Sequence, residues 1–199
     1  MGDSPLLHAL SRGAVHIAVG LTIVAGSCIL PWLILVGLLS LATVTLLSLD
    51  AARLRVPPFR HRCSVWLASF LRKEEERKLT GASYFLLGSL VTVLVFPPDI
   101  ASLAILFLAL GDPAATIVGT WKGQTRFWGK SLEGNIACLV ACLLVAVVVV
   151  TARDYPPLLA AVVGAFVATV FGALPLRIND NITIPFGSAL AMLLMRLVI

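Results

Sequence analysis

Seven apolar stretches follow one another along the chain, near residues 14–30, 32–49, 81–96, 100–119, 135–151, 158–174 and 182–199. Polar segments between them carry nearly all of the charge. A membrane-spanning helix needs about 17–25 apolar residues, and lipid leaves the backbone no hydrogen-bond partner but itself. The pattern therefore predicts an all-α polytopic membrane bundle of about seven helices, with six as the alternative because several stretches are short. The first stretch ends in Ala25-Gly26-Ser27-Cys28 and is followed directly after Pro31 by the second. With Arg12 as its basic flank, it reads as half of a helical hairpin rather than a cleaved signal. Between the second and third stretches, Phe59, Val65, Trp66, Phe70 and Leu71 recur at mostly helical spacing beside Arg60, Arg62, Arg72 and Lys73. Residues 57–78 are thus predicted to form a cytoplasmic interfacial amphipathic helix that starts at Pro57-Pro58. Glu76 and Arg77 come nearest the membrane and are candidates to enter a site.

Composition agrees with the pattern: 59% of residues are hydrophobic and 13% charged, which excludes an ordinary soluble domain and a disordered chain. Charge then orients the bundle. With the N-terminus in the cytoplasm, 13 of the 15 Lys and Arg residues fall on that side, and only Arg153 and Arg196 lie opposite. Seven spans with the C-terminus outside fit this split. Most acidic residues share the cytoplasmic side, leaving Asp99 and Asp154 in the outer turns. One-sided polarity suits a membrane enzyme with a cytosolic substrate better than a transporter, which needs polar groups at both faces or at the midplane. Cys28, Cys63, Cys138 and Cys142 are too scattered for a metal cluster and read as small apolar packers. Residues 1–199 are expected to form a single membrane-embedded domain, with no nucleic acid among its partners.

Gly111-Asp112-Pro113 interrupts the fourth stretch with an ionisable side chain, which costs at least ~3 kcal/mol in hydrocarbon unless it faces a polar cavity. Asp followed by Pro is also the pattern of a helix N-cap with Pro at the first helical position. The fourth span is therefore expected to be broken, with a half-helix from Pro113 aiming its positive end into the cavity. Asp112, Ala115, Gly119 and Gly123 line one helical face with small residues beyond the acid. The next loop supplies Lys122, Arg126 and the run Gly129-Lys130-Ser131-Leu132-Glu133-Gly134. Lys130 suits phosphate oxygens, Ser131 is a donor, the glycines let backbone approach, and Glu133 holds a metal or orients Lys130. The Walker A spacing is absent. Asp180, in Asn179-Asp180-Asn181, places a second carboxylate at the same interface, so Asp112 and Asp180 are candidate ligands for a Mg2+ bridging to substrate phosphates. Arg12 and His16 share a helix face at the start of span one, with His16 a candidate base or phosphate donor.

Five of these segments, taken in order, resemble the polyprenol kinase family, which includes dolichol kinase, phytol kinase and CTP-dependent diacylglycerol kinase. They are Arg-x3-His (Arg12, His16), Glu-Arg-Lys-x-Thr-Gly (Glu76 to Gly81) and Gly-Asp-Pro-Ala-Ala-x3-Gly (Gly111 to Gly119). Gly-Lys-Ser-Leu-Glu-Gly (Gly129 to Gly134) and Asp-Asn-x-Thr-Ile-Pro (Asp180 to Pro185) complete the set. The resemblance implies a CTP-binding segment within 111–134, running from Asp112 through Ala115, Gly119 and Gly123 to Lys130, Glu133 and Gly134. Two positions depart from the pattern: Gly13 stands where a basic residue often follows Arg12, and Gly129 where a first Lys would stand in a longer loop.

Together these readings predict an integral membrane enzyme, multi-pass in the cell membrane, with its site toward the cytoplasm. It is expected to transfer the terminal phosphoryl group of CTP, with Mg2+, to the hydroxyl of a lipid alcohol such as a polyprenol, a phytol-like isoprenoid or diacylglycerol. The rival readings are a cytidylyltransferase acting on a lipid phosphate, a small transporter and a non-catalytic scaffold. Asp112 as metal ligand and Asp112 as base are both open at this level.

Overall fold

The computed structural model describes residues 5–56, 75, 77–127, 130–153 and 156–199, so the interfacial helix expected over 57–78 lies almost wholly outside the described residues. Seven apolar helices account for most of what is described. They are α1 (Pro5–Ile29), α2 (Trp32–Arg55), α3 (Gly81–Val95), α4 (Pro98–Lys122), α5 (Leu132–Arg153), α6 (Leu158–Ala173) and α7 (Asp180–Val198). Five are long and apolar enough to cross a membrane, and α3 and α6 are the shorter apolar pair. At about 1.5 Å per residue those two reach roughly 22–24 Å, short of the ~30 Å of hydrocarbon in a bilayer. A two-residue antiparallel ladder, β1 (Arg126–Phe127) with β2 (Lys130–Ser131), sits between α4 and α5. The protein is an all-α polytopic membrane bundle.

Beyond Asp99 and Ser102, helix α4 is apolar on every side up to Gly111, and the bundle surrounds it accordingly. Ile100, Leu103, Ile105, Phe107 and Leu108 have no exposed surface, while the outward faces of α2 and α5 present Leu33, Leu41, Leu144 and Val148. The expected break at Pro113 is absent. Asp112 has helical dihedrals (φ −63°, ψ −44°), and the chain passes from α-helix through a π turn at Phe107–Gly111 back to α-helix. The proline lacks an N–H and its ring presses on the turn before it, and the wider π turn absorbs both faults without ending the helix. No half-helix N-terminus therefore opens at Asp112.

Small residues set how closely the helices approach. A Cβ added at Gly111 would lie 2.6 Å from Cys142 Sγ and 3.1 Å from Cys138 Sγ, so the two buried cysteines of α5 pack directly on α4. Pro185 within α7 cannot donate to the carbonyl of Asn181 one turn earlier. Gly88 of α3 approaches that carbonyl so closely that a Cβ there would stand 2.1 Å from the oxygen. Gly88→Ala should thus force α3 off α7 and lower stability by about 1–3 kcal/mol or more, whereas Gly37→Ala, with nothing within 4 Å, should be neutral. Thermal unfolding of both variants in detergent gives the comparison.

One end of the bundle is tied by a buried ion pair. Arg53 donates to Asp50 Oδ1 from Nε (3.1 Å), and its remaining nitrogens reach the backbone carbonyls of Glu75 (2.9 Å) and Lys78 (2.7 Å). Asp50 Oδ2 accepts from Thr80 N (2.7 Å), Thr80 Oγ1 (2.9 Å) and Ser83 Oγ (2.7 Å). A carboxylate on α2 thus completes the N-terminal cap of α3, where Thr80 itself accepts from Ser83 N. This need for partners explains why α2 runs on through Arg55 rather than stopping near residue 49. Asp50→Ala leaves Arg53 buried without its counter-charge and should cost about 3–5 kcal/mol. The double change Asp50→Leu with Arg53→Met should recover part of that loss in the same unfolding assay.

Candidate functional site

Helix α4 carries two adjacent rows of residues spaced one turn apart. Ala115 and Gly119, continued by Gly123 just past the end of the helix, form the small row. A Cβ at Gly119 would come within 2.7 Å of Ser131 Oγ, and one at Gly134 within 2.6 Å of the Ala115 carbonyl, so this row lets α5 and β2 close onto α4. Asp112, Thr116 and Thr120 form the polar row, which opens into a cleft of about 440 Å³. The opposite wall is Arg126, Lys130 and Ser131 of the ladder with Gly134 and Asn135 of α5. The volume falls within the ~300–1,000 Å³ of small-molecule sites.

The ladder is held in place by its own chain. Leu132 N donates to Thr125 O (2.8 Å), and Thr125 N donates to Glu133 Oε1 (3.1 Å). Ser131 Oγ accepts from Gly134 N at 3.0 Å, capping α5 and leaving the hydroxyl proton as the group with which Ser131 can donate. The helix N-terminus facing the cleft is thus that of α5, not one created at Pro113. Lys130 spans from β2 to the far helices: its Nζ meets Asp180 Oδ2 at 2.5 Å and donates to the Gly172 carbonyl.

A much smaller cavity of about 20 Å³ lies on the other side of Asp112, where Arg12 and His16 face it from α1. His16 Nδ1 is 3.7 Å from Asp112 Oδ2, and its ring packs 5.0 Å from that of Phe85. A Cβ built at Gly13 would lie 3.2 Å from the Pro113 side chain, so this position serves the close seating of α1 on α4. Arg12 is fixed by Glu75 at 3.1 Å, and the same Glu75 oxygen accepts from Gly81 N at 3.2 Å.

The fold therefore brings Asp112, Ala115, Gly119, Gly123, Lys130, Ser131 and Gly134 to one cleft, with Arg12 and His16 directly behind Asp112. It places three expected residues elsewhere. Glu133 braces the ladder through Thr125. Lys122 is exposed, with its ammonium 4.2 Å from the centroid of the Trp121 ring. Asp180 turns to Lys130 and lines a separate cleft rather than the one that holds Asp112. Among the described residues, no group of three or more His, Cys, Asp or Glu is arranged to hold a metal. Of the two candidates before span three, Glu76 lies outside the described residues and Arg77 is exposed; Glu75 makes the contact instead.

Thr116 and Thr120 were legible as a continuation of Asp112 at four-residue spacing, a signal masked by the more obvious small row. Asn135 and the Asp50–Arg53 pair gave no such signal, because their importance comes from what the fold sets against them.

No family model and no solved structure matches the chain. It is 29% identical over 161 residues to an uncharacterized protein of Rickettsia prowazekii, covering 77% of this chain and 78% of that one. It is 23% identical over 143 residues to CTP-dependent diacylglycerol kinase 1 of Schizosaccharomyces pombe, covering 67% of this chain and 63% of the kinase. It is 34% identical over 100 residues to phytol kinase of Synechocystis, covering 47% of this chain and 43% of that enzyme. Each match thus spans less than two thirds of the named kinase. At low identity, the chain is similar to kinases of lipid alcohols.

Proposed function

We propose that the protein transfers the terminal phosphoryl group of CTP to the hydroxyl of a membrane lipid alcohol, in a site on the cytoplasmic side built from residues 111–134. The observation that carries this reading is the cleft itself: a carboxylate inside an apolar span faces two cations and the N-terminus of a long helix. Such an arrangement receives an anion from the aqueous end while the acceptor arrives from the bilayer. Similarity to a CTP-dependent diacylglycerol kinase and a phytol kinase supports both halves of the reaction.

Phosphoryl transfer asks mainly for alignment and charge neutralisation. Arg126 and Lys130 bind phosphate oxygens, Ser131 donates its hydroxyl proton, and the small row lets the nucleotide lie against backbone. As the acceptor oxygen bonds to the terminal phosphorus, the bond from that phosphorus to its bridging oxygen breaks and CDP leaves. The acceptor's proton passes to a carboxylate, and Asp112 is the carboxylate among the described residues that lines the cleft. His16 orients it from behind. The donor set also fits Mg2+, which takes one or two protein carboxylates and completes its shell with phosphate oxygens and water. In place of accepting the proton, Asp112 would then hold the ion, with the oxygens of Thr116, Thr120 and Asn135 nearby; the ion would supply neutralisation of the triphosphate, and the acceptor's proton would leave to water. Asp180 acts one step away, by positioning Lys130.

Purified protein given terminally labelled CTP, Mg2+ and a panel of polyprenols, phytol and diacylglycerol should place label in lipid. Label appearing only in pyrophosphate would make the protein a cytidylyltransferase, and no transfer to any acceptor would sink the proposal. Asp112→Asn and Lys130→Ala should each lower transfer about 100-fold or more, the scale of losing one charge-stabilising group. Glu133→Gln keeps an oxygen for Thr125 N and should cost about tenfold at most if bracing the ladder is its role.

A further inference from the structure

A second cleft of about 360 Å³ opens at the same end of the bundle, between the 75–84 segment and the turn that joins α6 to α7. We propose that it binds the phosphate of an anionic membrane lipid. Two carboxylates and two cations line it, yet they do not cancel within it. Glu75 is paired with Arg12 (3.1 Å) and Asp180 with Lys130 (2.5 Å), and neither of those partners lines this cleft. That leaves Lys78 and Arg177, which no carboxylate among the described residues pairs with, so the cleft presents net positive charge to a ligand.

The cations are carried on backbone that is held. The carbonyl of Lys78 accepts from the buried Arg53 at 2.7 Å, and its N–H donates to Glu75 O at 3.3 Å. Arg177 sits one residue before Ile178 and one after Leu176, in a turn where Leu176 N donates to Leu174 O at 2.9 Å. Leu176 and Ile178 are 41% and 59% exposed, and Tyr84 stands on the opposite wall. A cation flanked by exposed apolar side chains, facing a tyrosine, is the composition of the headgroup level of a bilayer. Arginine and lysine there attract anionic lipids, and the apolar neighbours select a phosphate that carries acyl chains over a soluble one. Asn179 does not compete for it, since its side-chain oxygen caps α7 by accepting from Asn181 N at 3.0 Å.

Lipid binding to the purified full chain in detergent, read by native mass spectrometry, tests this without any activity assay and so stands apart from the phosphoryl-transfer reading. Phosphatidylglycerol should be retained in preference to phosphatidylcholine. Lys78→Gln with Arg177→Gln should weaken phosphatidylglycerol retention by about tenfold or more, the scale expected from two interfacial cations. The matched control Arg55→Gln with Arg77→Gln removes the same charge from exposed positions outside the cleft and should change it less than about twofold. Equal losses in the two double variants, or no preference between the lipids, would overturn the site. Displacement of phosphatidylglycerol by an equal concentration of glycerol phosphate would overturn its assignment to a lipid.

Discussion

The buried Asp50–Arg53 pair is the interaction on which the polar end of this bundle depends. Removing two charges from water is costly, and their mutual attraction compensates only when the remaining donors and acceptors are filled. Here they are: the carboxylate takes the guanidinium and three further donors, and the guanidinium takes two backbone carbonyls. Because those partners belong to residues 75–83, satisfying one pair on α2 fixes the whole entry into α3. Glu75 is placed by that entry, and Arg12 is placed by Glu75. The wall behind Asp112 and the wall of the second cleft thus both derive from this pair, which holds the second directly through the carbonyls of Glu75 and Lys78 and reaches the first only by way of Glu75 and Arg12.

At the other side of Asp112 the determining feature is the absence of side chains. Gly111, Ala115 and Gly119 on α4, with Gly123 just beyond its end, face Cys138, Cys142, Gly134 and Ser131 across a gap that a single added carbon would fill in several places. Closing that gap brings the capped start of α5 to the polar row of α4. A larger residue in the small row would separate the two helices and open the cleft that they form, so the packing and the proposed chemistry are not independent.

Much of this was legible in the sequence. Hydrophobic segmentation predicts about seven apolar helices in this order, and among the described residues five long and two shorter ones are found, because a membrane span is specified by length and apolarity alone. Asp112 and the 129–134 run were conspicuous because charge and glycine are costly or rare in such surroundings. The reading of Pro113 failed for an instructive reason: Asp-Pro has one meaning at a helix start and another inside a helix, where a π turn upstream can absorb the ring. Asp180 meets a neighbour that its position in the chain does not announce. Two carboxylates at one interface suggested a shared metal, but the ammonium of Lys130 reaches Asp180 from the ladder, and sequence does not show that reach.

Lys130 then links the two clefts, since its side chain lines the first while its charge is held by Asp180, which lines the second. Among the described residues, one carboxylate and one backbone carbonyl restrain it, whereas a triphosphate offers several charged oxygens. An anion entering the first cleft therefore competes with Asp180 for the ammonium on favourable terms, and any part of Lys130 it wins leaves Asp180 less neutralised. The second cleft would become less positive as the first fills. If both proposed ligands bind, the fold accordingly makes them compete through one side chain, and the sign of their coupling is negative.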